Sequence, residues 1–394
     1  MRKYHRKAAQ SLANRCKALR VPLLSHTTKA RIMMLSLKNI STLIIQVRVY
    51  NFMNKADESK KRNINIDIAK AVSCFMVILL HVTAVRFYQF SDQWLIINIL
   101  NSFTRVSVPI FIMVTGYLIV NSKNTTFSEI PRRCKRVVIC LIAWSFFYII
   151  ADSISYGDVK NINILKSITS VINGPIKYHL WYLYSLIGFY IASPILSILL
   201  SYSSKNTIIT VLSIWFVVSG FYTIKTYYGI WYVDLLWTYN LSIFSNMTGY
   251  LLLGSFISTI KASRKTISLS LYLYVIMSLF TAFMTYRYSS ELGKPNELFY
   301  SYLSPQTIIG SACLFYYIVN AKFSKRFSSI CAFISSISLG IYCVHIFFLE
   351  KISSIIGGSV YSIKLLTFTL FMTTILSVVV SFILKKLPLT SKIV

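Results

Sequence analysis

The sequence predicts an all-α membrane protein, a polytopic bundle of about ten transmembrane helices with both termini in the cytoplasm. Of the 394 residues, 55% are hydrophobic and only 13% are charged, whereas soluble domains carry about a quarter charged residues. Disorder is excluded as well, because disordered chains have low hydrophobicity. The net charge of +30 is typical of nucleic-acid binding, but the chain is too apolar for that class. We therefore expect the lipid bilayer, and no nucleic acid, as a partner.

Residues 1–62 form a basic N-terminal arm ahead of a predicted membrane domain at residues 63–394. The arm holds 15 of the 41 Lys and Arg residues, and it contains no apolar stretch long enough to cross a bilayer. Two interpretations are open. Either the arm is an amphipathic segment that lies on the membrane surface, or residues 1–52 are a gene-start artefact and translation begins at Met53.

After this arm the chain contains ten apolar stretches of about 20 residues, the length of a helix that crosses about 30 Å of hydrocarbon. Helices are the expected form, because backbone polar groups within lipid must be satisfied inside the segment. The stretches lie at about 65–85, 94–120, 133–151, 179–200, 207–223, 241–260, 267–287, 302–320, 329–349 and 361–384.

The distribution of basic residues orients these spans, because cytoplasmic segments of membrane proteins are rich in Lys and Arg. With the N-terminus in the cytoplasm, 30 basic residues fall on the cytoplasmic side, eight on the opposite side and three within the spans. Without the arm the ratio is still 15 to eight. An even number of spans returns the C-terminus, with Lys385 and Lys386, to the cytoplasm.

Titratable residues inside the spans are the first functional candidates, because charged groups in a bilayer are costly. Lys70 and His81 lie eleven residues apart in the first span, so they share a helix face and are separated by about 16 Å along the axis. Arg105 lies deep in the second span. Each also has a structural explanation: a lysine that reaches the membrane surface, a histidine at a helix end, and an arginine in an internal ion pair.

Two further sets of residues complete the candidates. Arg133 and Arg136 share one face at the start of the third span, and two guanidinium groups on one face suit phosphate oxygens. Ordinary positive-inside topology also explains a basic cluster at that end. His179 and His345 belong to the fourth and ninth spans, and both lie near the outer ends, at a depth similar to that of His81.

Five segments, in order along the chain, carry a family resemblance. They read NIDIAKAVSCFMVILLH, RVSVPIFIMVTGYLI, RRCKRVVICLIAW, YHLWYLYSLIGFYIASPIL and SLGIYCVHIFF. Together they resemble the membrane acyltransferase family 3, the integral-membrane O-acyltransferases that modify bacterial surface glycans. The resemblance covers about residues 62–385. One departure is Lys70, where the family usually has arginine, so the positive charge remains but the bidentate fork is lost.

The resemblance implies a reaction and a location. An acyl group, most simply acetyl from cytoplasmic acetyl-CoA, would move to a sugar hydroxyl of a surface or lipid-linked polysaccharide at the bacterial inner (plasma) membrane. On this interpretation His81 is the general base or the acyl acceptor, and Arg105 stabilises the oxyanion or holds the thioester.

The remaining site residues are assigned to the two substrates. Acyl-CoA is expected as a co-substrate rather than as a permanently bound cofactor, and no metal is expected. The residues assigned to acyl-CoA are Lys70, Arg133 and Arg136, and those assigned to the acceptor are His179, Trp181, Tyr342 and His345.

Two other functions stay open at this point. A transporter or flippase for a lipid-linked glycan, acting in export for a polysaccharide synthesis system, also needs many spans and buried cations. The absence of a visible internal repeat weighs against it. A non-catalytic scaffold of a polysaccharide synthase would not need charged groups at three depths of the membrane.

Overall fold

The computed structural model describes residues 63–120, 125–157, 163–230, 234–356 and 362–394. Throughout these ranges the regular secondary structure is helical. The predicted basic arm at residues 1–62 lies outside the described residues, so the two interpretations of it stay predictions.

The helices of the described ranges follow one another in a simple linear order. They are α1 (Ile64–Phe87), α2 (Trp94–Thr104), α3 (Ser107–Ile119), α4 (Ile130–Tyr156), α5 (Ile164–Asn173), α6 (Trp181–Tyr202), α7 (Lys205–Tyr227), α8 (Leu235–Thr238), α9 (Thr248–Ile257), α10 (Arg264–Leu292), α11 (Pro305–Asn320), α12 (Lys325–Ser336), α13 (Ser338–Ile356) and α14 (Ile363–Lys386). Short 3-10 turns lie at Phe127–Glu129, Tyr178–Leu180, Leu241–Phe244, Leu298–Tyr300 and Thr390–Lys392.

Within the described part of the chain, eight helical segments are long and apolar enough to cross a membrane. They are Ile64–Phe87, Trp94–Ile119, Phe127–Ser155, Tyr178–Tyr202, Lys205–Tyr227, Arg264–Leu292, Ser338–Ile356 and Ile363–Lys386. This confirms the predicted all-α polytopic bundle, and the protein is a multi-pass membrane protein.

Two of the ten predicted stretches form helices that are shorter than a membrane crossing. The stretch at 241–260 contains α9, which has 10 residues and is therefore about 15 Å long. The stretch at 302–320 contains α11, which has 16 residues because Pro305 occupies its first turn and which is about 24 Å long. Irregular backbone at membrane depth is tolerated where it is buried in protein or lines a cavity.

The second predicted span is interrupted between α2 and α3, at Arg105 and Val106. Pro109 explains the interruption. A proline has no backbone N–H, so the carbonyl of Arg105, four residues earlier, loses its helical hydrogen bond, and the proline ring also crowds that carbonyl. The break therefore places Arg105 at a helix end within the bundle. The ninth predicted span is likewise divided, into α12 and α13, at Ile337.

Helix α1 lies at the centre of the described bundle and packs against α2, α3, α11, α12, α13 and α14. Its first turn is fixed by polar contacts: the side-chain amide of Asn65 donates to the carbonyls of Val319 (3.0 Å) and Ala321 (3.1 Å) at the end of α11. Because α1 is central, the residues along it, including Lys70 and His81, are surrounded by other helices.

The short helix α9 is held by very close packing against α3. Gly116 of α3 faces the backbone of Leu251, and Gly254 of α9 faces the backbone of Met113. Glycines on facing helices allow two backbones to approach closely, which is the usual basis of helix association where no hydrophobic driving force exists. Met247, the residue before α9, lines a cavity together with Arg105, so the start of α9 lies close to the break.

Candidate active site

The three histidines of the predicted spans lie together. The ring of His345 is 5.2 Å from the ring of His81 and 5.2 Å from the ring of His179, measured between centroids. Three different parts of the fold supply them: α1 carries His81, α13 carries His345, and the 3-10 turn before α6 carries His179. The sequence placed them at a similar depth, and the structure joins them in one cluster, hereafter the histidine cluster.

The members of the histidine cluster differ in exposure. His345 and His179 are buried, with 0% and 1% of their surface accessible, whereas His81 is half-buried. A group that reacts with a substrate must be reachable, and a group that orients it need not be. His81 is therefore the member of this cluster that is best placed to meet a substrate.

Backbone carbonyls select the tautomers of the two buried rings. Nδ1 of His345 lies 2.7 Å from the carbonyl oxygen of Tyr342 and 3.2 Å from that of Ile341, and Nε2 of His179 lies 3.2 Å from the carbonyl oxygen of Cys343. A carbonyl only accepts, so these nitrogens carry the hydrogens. Among the described residues, Nε2 of His345 and Nδ1 of His179 have no hydrogen-bond partner.

Tyrosines surround the histidine cluster. The Tyr178 ring lies 5.3 Å from that of His81, and the Tyr148 ring lies 5.4 Å from that of His179. The hydroxyl of Tyr148 donates to the carbonyl of Cys343 at 2.8 Å. Tyr342 was predicted to bind the acceptor, and its hydroxyl donates to the carbonyl of His179. The contact of Tyr342 seen here thus links α13 to the turn that carries His179.

An ion-pair group that the sequence did not reveal fixes the same turn. Nζ of Lys177 lies 3.1 Å from Oδ1 of Asp152 and 2.9 Å from Oε2 of Glu350. Burial alone would lower the pKa of Lys177, but the hydrogen bonds and charges of Glu350 and Asp152 outweigh it and raise that pKa above its ordinary value. The lysine therefore stays charged and ties the turn before His179 to α4 and α13.

Arg105 forms the second part of the site. Nη2 of Arg105 lies 3.3 Å from Oε1 of Glu297, and its guanidinium carbon lies 3.9 Å above the ring of Tyr300. Arg105 is buried and lies within electrostatic range of His81. The ion pair that we considered from the sequence is therefore present, and the same residue also places a cation near the histidine cluster.

Trp181, predicted to bind the acceptor, lies near both parts of the site. It begins α6, two residues after His179, and its ring stacks on that of Tyr302 with centroids 6.1 Å apart and planes inclined by 27°. Tyr302 belongs to the connection between α10 and α11, which also carries Glu297 and Tyr300. Neither Glu297 nor these two tyrosines was singled out from the sequence, because they lie outside any motif.

The residues predicted to bind acyl-CoA lie toward the opposite end of the helices that carry the cluster. Arg133 is 15 residues before Tyr148 on α4, which corresponds to about 22 Å along the axis, and Lys70 is about 16 Å from His81 along α1. Arg133 is half-buried and Arg136 is exposed, and both lie within electrostatic range of Tyr190 on α6. The described contacts do not bring these cations to the histidines.

Two cavities among the described residues are compared as possible substrate sites. The larger, about 650 Å³, lies between α7, α9, α10 and α11 and is lined almost entirely by apolar side chains. The smaller, about 270 Å³, borders Arg105 and Glu297. Only the smaller cavity has the convergent polar groups expected of a site that recognises a polar substrate.

This geometry suits acyl transfer. A reachable imidazole can take a proton from a hydroxyl, and a nearby cation can stabilise negative charge that develops on an oxygen. The fold and the site thus define a multi-pass membrane protein with a cluster of titratable groups inside the helix bundle that suits acyl transfer.

Comparison with known protein families agrees with this class. A family model described as an acyltransferase domain matches residues 63–386. The chain belongs to the acyltransferase family 3 and is an acyltransferase, as the sequence resemblance indicated. No curated protein and no solved structure matches the chain.

Proposed function

We propose that the protein is an O-acyltransferase of a bacterial inner membrane, and that it transfers an acyl group, most simply acetyl from acetyl-CoA, to a hydroxyl of a surface or lipid-linked polysaccharide. The observation that supports this most strongly is the histidine cluster: His81 is half-buried, whereas His345 and His179, in contact with it or one ring away, are buried. Such a group is equipped to activate a hydroxyl in the membrane.

In the proposed reaction His81 acts as general base. Its free nitrogen takes the proton of the sugar hydroxyl while the hydroxyl oxygen attacks the thioester carbonyl. A tetrahedral intermediate forms, and Arg105 stabilises its oxyanion. When the carbon–sulfur bond breaks, the proton on His81 passes to the leaving thiolate, so coenzyme A is released as the thiol. In a second version His81 first accepts the acyl group and then passes it to the hydroxyl.

The positions of the cations support the choice of donor. Coenzyme A carries its phosphates at one end and its thioester at the other. Arg133 and Arg136 lie on one face of α4, about 22 Å from the tyrosine that contacts His179, and positive-inside topology puts their end of the bundle at the cytoplasm. Phosphates bound there leave the thioester arm to extend along the bundle toward His81, with Lys70 beside the path on α1.

The test compares a deletion strain complemented with the wild type, His81→Ala or Val85→Ala. Val85 lies four residues beyond His81 on α1 and is exposed, so Val85→Ala is the matched control. The amount and the O-acyl content of the surface glycans are measured by NMR and mass spectrometry, and membrane levels of each variant are checked. We expect at least a hundredfold loss of acylation with His81→Ala and none with Val85→Ala.

Two results would contradict the proposal. Full acylation with His81→Ala would remove His81 from the mechanism. A glycan whose amount falls on deletion, while its acylation per sugar is constant, would instead identify a transporter or flippase of lipid-linked glycan.

A further inference from the structure

The cavity beside Arg105 is a polar and aromatic chamber that the acyl-CoA site does not account for. Its volume is about 270 Å³. Clefts for drug-sized ligands occupy about 300–1,000 Å³, so this chamber suits something smaller, of the size of one sugar ring. The lining residues are Arg105, Met247, Glu297, Tyr300, Ser301, Tyr302 and Leu303.

The walls of this chamber carry the groups that proteins use to hold sugars. Tyr302 supplies an aromatic ring that Trp181 backs by stacking, and ring faces pack well against the C–H groups of a pyranose. Glu297 keeps 37% of its side chain exposed and accepts hydrogen bonds from hydroxyls. Arg105 also borders the chamber, and the N–H groups of a guanidinium donate hydrogen bonds to hydroxyl oxygens.

We propose that this chamber binds one pyranose ring of the acceptor glycan and that it selects a neutral sugar over an acidic one. The proposal rests on the function proposed above and names the acceptor class for that same site. Arg105 lies within electrostatic range of His81, and Trp181 follows His179 by two residues. A ring held here would therefore lie on the side of the bundle that carries the histidine cluster.

The charges that line the chamber are the reason to expect that it binds a neutral sugar more tightly than an acidic one. Arg105 is the one cation among the lining residues, and Glu297 already neutralises it at 3.3 Å. A sugar carboxylate brought into the chamber would meet the carboxylate of Glu297 without a second cation among the lining residues to offset it, and like charges that are partly desolvated repel strongly. Hydroxyls and acetamido groups bring no such cost.

The experiment measures sugar binding separately from transfer. The full chain is reconstituted in lipid nanodiscs and titrated, without donor, with a pentamer of N-acetylglucosamine or with a pentamer of galacturonic acid. Calorimetry or saturation-transfer NMR reports the affinity. We expect the neutral pentamer to bind at least tenfold more tightly than the acidic one, and Glu297→Gln to weaken the neutral pentamer at least fivefold.

Two variants keep the test interpretable. Glu291→Gln is the matched control, because Glu291 lies at the end of α10, where it pairs with exposed Arg287, and we expect no change. Leu303→Trp fills the chamber and is expected to abolish sugar binding. Acetyl-CoA affinity in the same nanodiscs shows that each variant is folded.

Three results would overturn the proposal: no binding of the neutral pentamer, tighter binding of the acidic one, or equal affinities in the wild type, Glu297→Gln and Leu303→Trp. If any of these occurs while acylation in cells still depends on His81, the chamber assignment alone fails. If acylation does not depend on the protein at all, the proposed function fails with it.

Discussion

Replacing Gly116 by alanine tests whether the close contact of α3 and α9 holds the site together. A Cβ atom at Gly116 would lie 2.1 Å from the carbonyl oxygen of Leu251 and 2.7 Å from its Cα. Ordinary contacts of this kind begin at 3.4 Å, so the helices must separate by about 3.4 − 2.1 = 1.3 Å. Both atoms belong to backbone, so no side chain can rotate away to make room.

The separation has a cost in stability and a cost in activity. Extra atoms in a packed interior typically cost about 1–3 kcal/mol, and we expect the melting temperature to fall by several degrees. Tyr250 of α9 donates a hydrogen bond from its hydroxyl to the carbonyl of Tyr302 at 2.5 Å, so a shift of α9 reaches the wall of the chamber. A misplacement of about 1 Å can cost a hundredfold in rate, and we expect kcat/KM to fall by about tenfold to a hundredfold.

The assay compares three variants in lipid nanodiscs by thermal unfolding and by transfer from labelled acetyl-CoA to glycan isolated from the deletion strain. Gly254→Ala is expected to behave like Gly116→Ala, because its Cβ would lie 2.3 Å from the carbonyl oxygen of Met113. Gly188→Ala is the control: Gly188 is exposed on α6, and nothing lies within 4 Å of its Cβ position. If Gly116→Ala matched Gly188→Ala in both measurements, the contact would not be what holds α9.

Two further changes test the ends of the site. Lys177→Met leaves two carboxylates without their cation, so we expect a lower melting temperature. The pKa of Lys177 is raised above 10.5. The contribution of Lys177 to stability is therefore complete below pH 10.5 and is lost as the pH rises through the raised pKa. The difference from wild type should therefore be constant from about pH 7 to pH 9, and a difference that vanished in that range would refute the assignment. Arg133→Ala removes a charge-assisted phosphate contact of about 1.5–3 kcal/mol, so steady-state kinetics should show the KM for acetyl-CoA rising at least tenfold. Arg132 is the control, because its exposed side chain pairs with Glu129, and Arg132→Ala should leave the KM for acetyl-CoA unchanged. Equal KM values in the Arg133→Ala and Arg132→Ala variants would contradict a phosphate site at Arg133.

The membrane fold could be predicted because bilayer thickness and helix rise set span length, so counting apolar residues locates the spans. Counting apolar residues could not predict which stretches form helices too short to cross the membrane. The stretch at 241–260 has no charged residue, yet only Thr248–Ile257 is α-helical, and this short helix packs closely against α3. The break at Arg105 has a visible signal in the sequence, because Pro109 removes the helical hydrogen bond of the carbonyl four residues earlier.

The candidate site was predictable only in part. His81, His179 and His345 are conspicuous because titratable residues are rare within apolar stretches, and the structure joins all three. Glu297 and Lys177 lie in polar connections, where charged residues are ordinary and carry no signal. Their importance comes from partners distant in sequence: Glu297 meets a residue 192 positions away, and Lys177 meets one 173 positions away.

The residues of the polar site lie at or beside the points where the helices are interrupted. Arg105 stands at the break between α2 and α3, His179 in the turn before α6, and Tyr302 just before α11. In a bilayer, non-helical backbone is tolerated only where protein or a cavity surrounds it, so each interruption requires a polar, enclosed setting. That setting is also what an imidazole and a guanidinium inside the bundle need in order to act on a polar substrate. The central position of α1 brings His81 into this enclosed setting.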